Sequence, residues 1–289
     1  MAATVDPAYW IGFAFIYGLA IGSFLNVVVF RLPEGASIVS PGSQCPRCET
    51  PIAWRDNIPV LSFLLLRGRC RRCKERISVR YPGVELFTGL VFALVAWRFG
   101  VSWPAALYAL FAAALIAAAL IDFDHQIIPD EISLGGLVAG LLLVPAVWVL
   151  AAGVPPLEAF AESFQGALLG GGLLWSIAFF HARVSVALGR RFDHWPGEGQ
   201  ETPKPSSADY WLWFPGMGLG DVKLLAMIGA FLGPWGVLET IVLASLLGLL
   251  LGLGYAAVTR KLNSPFGFGP ALAAGALAAL LFPLETWIA

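Results

Sequence analysis

Apolar runs, most of them close to twenty residues long and separated by short polar or proline-containing joints, dominate the chain from residue 9 onward. A bilayer hydrocarbon core of about 30 Å takes roughly 20 helical residues to cross. The runs therefore predict membrane helices over 9–30, 83–99, 103–121, 131–151, 163–182, 222–233, 236–258 and 269–288. The expected fold is an all-α polytopic membrane protein with about eight transmembrane helices. One run is too short, because about a dozen residues at 1.5 Å each leave 222–233 well under the membrane thickness. Gly233-Pro234-Trp235-Gly236 reads as the outer turn after it. Counting about 20 residues inward from that turn reaches Phe214 and places GMGLGD, residues 216–221, below the membrane surface. Broken backbone at that depth is tolerated only inside protein or beside a wet cavity.

Composition agrees: the 289 residues are 58% hydrophobic and 13% charged, about half the charge of a soluble domain. That balance excludes a water-exposed globular protein, and nothing in a net charge of −1 calls for nucleic acid. The placement of charge says more. Of the 18 Lys and Arg residues, all but Arg98 fall in the connections 31–82, 183–221 and 259–268 or at Lys223. The positive-inside bias puts those connections in the cytoplasm and the N-terminus outside. Met1–Tyr9 contains Asp6 and no Lys or Arg, so the first run is expected to remain as a membrane helix and not to act as a cleavable signal peptide. The chain then divides into a first transmembrane helix (1–30), a cytoplasmic loop domain (31–82) and a membrane domain (83–289). Gly166/Gly170 and Gly248/Gly252 have the spacing that lets helix backbones approach, although glycine at its ordinary membrane frequency explains either pair equally well. The Pro/Gly/Ser-rich stretch 183–215 is expected to be irregular and to carry no chemistry.

All four cysteines lie in the first cytoplasmic connection, as Cys45-Pro-Arg-Cys48 and Cys70-Arg-Arg-Cys73. Two matched CxxC turns supply four thiolates, enough for a closed tetrahedral zinc site. A reducing compartment disfavours disulfides, and no thioredoxin-like pattern surrounds either pair. A closed four-thiolate site has no open coordination position, so its expected task is to fold a small basic loop.

The remaining chemistry lies in carboxylates. Asp122 ends a hydrophobic run, and Asp221 sits between a glycine-rich bend and VKLLAMIGAFLG. Membrane-embedded acids are functional by default, and these two are natural partners. Two nearby carboxylates share a proton, so that one activates water while the other donates to a carbonyl oxygen. Glycines such as Gly218 and Gly220 leave room for a substrate backbone. Asp124 and Lys223 are expected to support the pair, Asp130 to cap the helix that follows it, and His125 to be a polar loop residue. Two other readings remain: a proton-coupled transporter using the same acids, and a membrane scaffold organised by the zinc loop.

GSFLNVVVFRLP (22–33), the CPRC…CRRC loop, WRDNIPVLSFLLLRGRC (54–70), RYPGVEL (80–86), IDFDHQIIPD (121–130), GMGLGDVKLLAMIGA (216–230) and FGP (268–270) occur in that order. Together they resemble the type IV prepilin leader peptidases, bacterial inner-membrane aspartic proteases, over nearly the whole chain. The resemblance implies catalysis by Asp122 and Asp221, and cleavage of the basic leader of prepilins and type II secretion pseudopilins at the cytoplasmic face of the bilayer. It further implies that members with the cysteine loop also N-methylate the new N-terminal residue using S-adenosylmethionine. No sequence motif marks the site of methyl transfer. PFGFGP stands where the family commonly has PFGP, with Gly267 at the position of the proline.

Overall fold

The computed structural model describes residues 6–190, 192, 202–215, 218–259 and 267–284, and the chain divides into two compact units, Met1–His125 and Gln126–Ala289. Among the described residues the regular structure is helical, and isolated bridges pair Gln44 with Pro51 and Arg69 with Arg76. Six helices are long and apolar enough to cross a membrane. One of these is broken in two, and a shorter apolar helix follows it, which accounts for the eight expected segments. Gly216, Met217, Arg191, Arg260, Lys261 and the end of the last expected span lie outside the described residues.

In the first unit, α1 (Pro7–Arg31) is started by Asp6, whose Oδ1 accepts the Ala8 N–H at 2.9 Å, with proline at its first position. The cysteine loop follows and contains one short α-helix, α2 (Leu61–Leu65), and the 3-10 turns Leu32–Glu34 and Trp54–Asp56. Then come α3 (Arg80–Phe99) and α4 (Trp103–His125). Helices α1 and α3 touch backbone to backbone. A Cβ on Gly22 would stand 2.6 Å from Cα of Glu85, and one on Gly18 would stand 2.9 Å from Cα of Gly89. Gly18 and Gly22 have the same four-residue spacing as the pairs noted above, and hydropathy alone does not single them out. Along α4, Phe111, Leu115 and Ile121 are fully buried, so the helix that carries Asp122 is the core of this unit. The helix ends at His125, and the next residue, Gln126, takes a positive φ of 56°.

The second unit comprises α5 (Asp130–Ala152), α6 (Pro156–Ala187), α7 (Ala208–Leu212), α8 (Leu219–Thr259) and α9 (Gly269–Leu281). Helix α6 begins seven residues before the predicted 163. Pro156 and Glu158 are good first-turn residues, but the acids in 156–162 hide that turn from a hydropathy reading. The Gly166/Gly170 pair is a packing device: a Cβ on either would collide with the α8 backbone at Gly229 or Leu225. Among the described residues, Gly248 makes only ordinary contact with Ala271 at 3.4 Å, and Gly252 has nothing within 4 Å. Helix α8 breaks where a turn was expected, at Gly233 (φ 70°, ψ −178°) followed by Pro234. Only glycine takes that conformation at low cost, and the proline cannot donate to the preceding turn.

Candidate active site and metal centre

Asp122 lies in the last turn of α4 and is 6% exposed, directly after the fully buried Ile121. Two residues on, Asp124 is held by α3: the Arg80 guanidinium donates to both carboxylate oxygens, at 2.8 and 2.5 Å. This bidentate clasp is a strong form of ion pair, and it ties the first turn of α3 to the last turn of α4. Asp124, expected beside the acids, is therefore a fastening for the helix end that carries Asp122.

In the second unit, Asp221 is in the first turn of α8 and half-buried. Gly220 packs on Ile128, where an added Cβ would lie 3.2 Å from that side chain. Among the described residues, an added Cβ on Gly218 would meet only the Gly220 nitrogen, at 3.8 Å. Lys223 pairs with Asp130, joining the first turns of α8 and α5. The expected capping role of Asp130 is corrected here. Pro129, extended at φ −59° and ψ 141°, takes the cap position without a side-chain bond, and the Asp130 carboxylate goes to Lys223.

The stretch before Asp221 is anchored in a way the sequence reading missed. Tyr210 and Trp211 of α7 close over α6: Trp211 stacks on Phe179 at 5.3 Å, and the Trp175 indole N–H donates to the Trp211 carbonyl at 2.9 Å. The Arg183 guanidinium lies 3.6 Å from the centre of the Tyr210 ring, a cation–π contact. Phe214 is buried against Ala178 and Ala182, with Leu219 packed beside it. The chain thus enters α8 from a fixed point. The aromatic residues in 210–214 were a signal for this, masked by the Pro/Gly/Ser-rich composition around them.

The four cysteines converge, and their sulfurs all lie within 4.8 Å of one another. They form no disulfides, and Cys45 and Cys73 are 3.8 Å apart, far beyond a bonded S–S length of about 2 Å. Each CxxC sits in the same turn. The Glu49 N–H donates to the Cys45 carbonyl (2.8 Å) and the Cys45 N–H to the Thr50 carbonyl (3.1 Å); Lys74, Cys70 and Glu75 repeat this at 3.1 and 2.8 Å. Glu49 and Lys74 both take positive φ, 53° and 61°. Hydrogen bonds with Thr50 hold the Cys48 thiol down at about 6. Backbone amides of Cys73 and Arg72 lower that of Cys70. At Cys73 the Glu75 amide also acts downward, but burial and the three neighbouring thiols outweigh it and push the thiol up to about 12. Four sulfurs gathered in this way can hold a metal ion.

Residues 16–99 match the bacterial peptidase A24 N-terminal domain, and residues 109–253 match the type IV leader peptidase family. A prepilin leader peptidase/N-methyltransferase of Pseudomonas putida is 37% identical over 98% of this chain and 94% of its own length. The protein of that name in Pseudomonas aeruginosa is 35% identical over 92% of this chain and 88% of its own. An Escherichia coli type 4 prepilin-like proteins leader peptide-processing enzyme is 35% identical over 95% and 94%. No solved structure matches the chain.

Proposed function

We propose that this chain, which belongs to the type IV leader peptidase family, cleaves the basic leader from type IV prepilins and N-methylates the residue that cleavage exposes. The observation that carries the reading is the similarity to bifunctional enzymes over 98% of the chain, which takes in both halves of the fold. Type II secretion pseudopilins, which bear the same kind of leader, belong to the substrate class. The proton-coupled transporter reading has no support among the relatives reported above.

In this reading Asp122 and Asp221 are the catalytic carboxylates. One takes a proton from the attacking water, and the other donates to the scissile carbonyl oxygen. The shared proton belongs to the pair and not to either acid. The open space at Gly218 leaves room for an extended substrate backbone beside Asp221, and the Arg80 clasp on Asp124 fixes the helix end that presents Asp122. Gly220 and Lys223 set the entry of α8.

Cys45, Cys48, Cys70 and Cys73 hold a structural zinc ion. A tetrahedron with Zn–S bonds of about 2.3 Å has an edge of about 3.8 Å, the separation of Cys45 and Cys73. The metal stabilises the loop and leaves the hydrolysis to the acids. The protein lies in the bacterial inner membrane with its N-terminus in the periplasm. Residues 31–82 are the cytoplasmic zinc domain between a first membrane helix and the peptidase domain 83–289. A prepilin keeps its apolar helix in the bilayer and its basic leader in the cytoplasm, so its scissile bond is presented at the inner interface. The test is incubation of the purified protein with a prepilin, with and without S-adenosylmethionine, followed by mass measurement. Loss of the leader alone without the cofactor, and a further 14 Da with it, is the expected result. An intact prepilin in both arms overturns the reading.

A further inference from the structure

Helix α2 is inside out for a segment in water. Leu61, Leu64 and Leu65 share one side of it at three- and four-residue spacing, and they are 49%, 64% and 72% exposed. The side turned to the protein is polar in part. The buried Ser62 hydroxyl accepts the Ile58 N–H and donates to the Arg55 carbonyl, each at 3.0 Å. Phe63 covers Gly68, where an added Cβ would stand 3.0 Å from its ring. Three leucines left in water forgo the gain of burial, and an exposed apolar patch of this kind marks a contact surface.

The depth of α2 is set by α3. The 20 residues of α3 at 1.5 Å each cover about 30 Å, one hydrocarbon thickness. Arg80 therefore stands at one edge of the core, and Glu85 about 7 Å inside it. At the start of α2 the Val60 N–H donates at 2.7 Å to Oε2 of Glu85, a buried residue that Ser23 of α1 also bonds. Helical side chains lean toward the N-terminus, which brings this carboxylate back toward the level of Arg80. Val60 takes φ 60°, a costly conformation for a β-branched residue, so the tie holds against strain. Asn26 of α1 lies at the same level, where its side-chain amide donates to the Tyr81 carbonyl at 3.2 Å. Helix α2 thus starts beside two membrane helices, in the layer where hydrocarbon gives way to headgroups.

The residues around this face fit a phospholipid. Arg67 and Arg69 follow α2 and are exposed; an arginine can lay its stem on apolar surface and pair its guanidinium with a phosphate. Trp54, 82% exposed, is of the residue type that gathers at membrane–water boundaries. Deeper along α3, Phe87 and Leu90 are exposed as well, so the membrane helix to which α2 is tied presents apolar surface of its own. We propose that α2 is an interfacial helix, with its three leucines among the acyl chains, and Arg67 and Arg69 at the phosphates, of the leaflet where α1 ends and α3 begins. After α2 the Gly68 N–H returns to the Phe63 carbonyl at 2.8 Å, and two residues later Cys70 opens the second cysteine turn. The sulfur cluster is therefore moored to the bilayer through α2, and the loop is a half-embedded domain and not one free in the aqueous phase.

The test uses the full-length protein in vesicles of phosphatidylethanolamine and phosphatidylglycerol. Leu64→p-benzoylphenylalanine and Leu65→p-benzoylphenylalanine, each irradiated, should form phospholipid adducts that map by mass to the tryptic peptide 56–67. Cross-links to residues 126–289 or to a second copy of the chain in place of lipid, or the absence of any adduct, overturn the proposal. Adding a prepilin should leave the lipid adduct unchanged; its replacement by a cross-link to the prepilin overturns the proposal too. Leu64→Glu with Leu65→Glu puts two charges into the leaflet and should speed trypsin cleavage after Arg67 by about tenfold or more in vesicles that present the loop outward. Leu64→Phe with Leu65→Phe keeps the face apolar and should stay within about twofold of the parent. Parental cleavage rates in the charged pair overturn the assignment. If the charged pair does not fold, the phenylalanine pair and the adduct map decide. Neither measurement needs leader cleavage, so its outcome is independent of the peptidase reading.

Discussion

Arg80 grips both oxygens of Asp124, at 2.8 and 2.5 Å, and so fastens the end of α4 two residues past Asp122. The two partners act as one device, so removing either should cost about as much as removing both. Arg80→Met, Asp124→Asn and the double variant are expected to lower leader cleavage by similar, partial amounts, with a coupling of about 1 kcal/mol. A double variant whose loss equals the sum of the two single losses rules out the clasp.

Asp122→Asn and Asp221→Asn should behave differently from the clasp variants. Each removes a group assigned to proton transfer, so cleavage should fall by about 10³-fold or more while the protein still inserts and folds. Methylation of a pilin supplied already cleaved should survive in both. Cleavage by either variant at the parental rate rules out the paired-acid mechanism.

Close approach of α6 and α8 depends on the absence of a side chain at Gly166. Gly166→Leu drives a branched chain into the Gly229 backbone and should destabilise the protein by about 2 kcal/mol or more, read as a lower midpoint in detergent thermal unfolding. Gly252→Leu, with nothing among the described residues within 4 Å of its added Cβ, is the control and should leave the midpoint unchanged.

Removing the metal should loosen the loop first. A chelator, or Cys45→Ser with Cys70→Ser, is expected to open residues 36–78 to protease and to reduce methylation more than cleavage. The loop also carries an acid-sensitive fastening. Hydrogen bonds from Arg71 to Asp56 at 2.8 and 2.7 Å hold the Asp56 carboxyl below its ordinary range. A depressed carboxylate stabilises the fold at pH values above its unfolded pKa of about 3.9, and that contribution disappears as pH falls through the lower folded value. Asp56→Asn should lower protease resistance near neutrality, where the ionised carboxylate contributes fully, and flatten the acid side of its pH dependence.

The helices were legible because length and hydropathy decide them. Every predicted span corresponds to an observed apolar segment, and even the break at Gly233-Pro234 follows from residue types. The cysteine cluster was legible because two CxxC turns leave few alternatives. Side-chain pairings between distant helices were not. Arg80 and Glu85 both sit in the RYPGVEL stretch, yet their partners Asp124 and Val60 are fixed only by the packing of α3. Asp130 showed the same limit. Its position before a helix suggested a cap, but the cation that claims it lies 93 residues away at Lys223. The aromatic closure of α7 over α6 escaped because its residues are embedded in a composition that reads as loop.

The sulfur cluster also has a consequence in time. Its four ligands lie within Cys45–Cys73, while Asp221 is encoded 148 residues after Cys73. A ribosome adding about 5–20 residues per second takes on the order of ten seconds to cover that interval. All four sulfurs of the cysteine loop are therefore in place, ready for the proposed metal, while the carboxylate of α8 is still unmade.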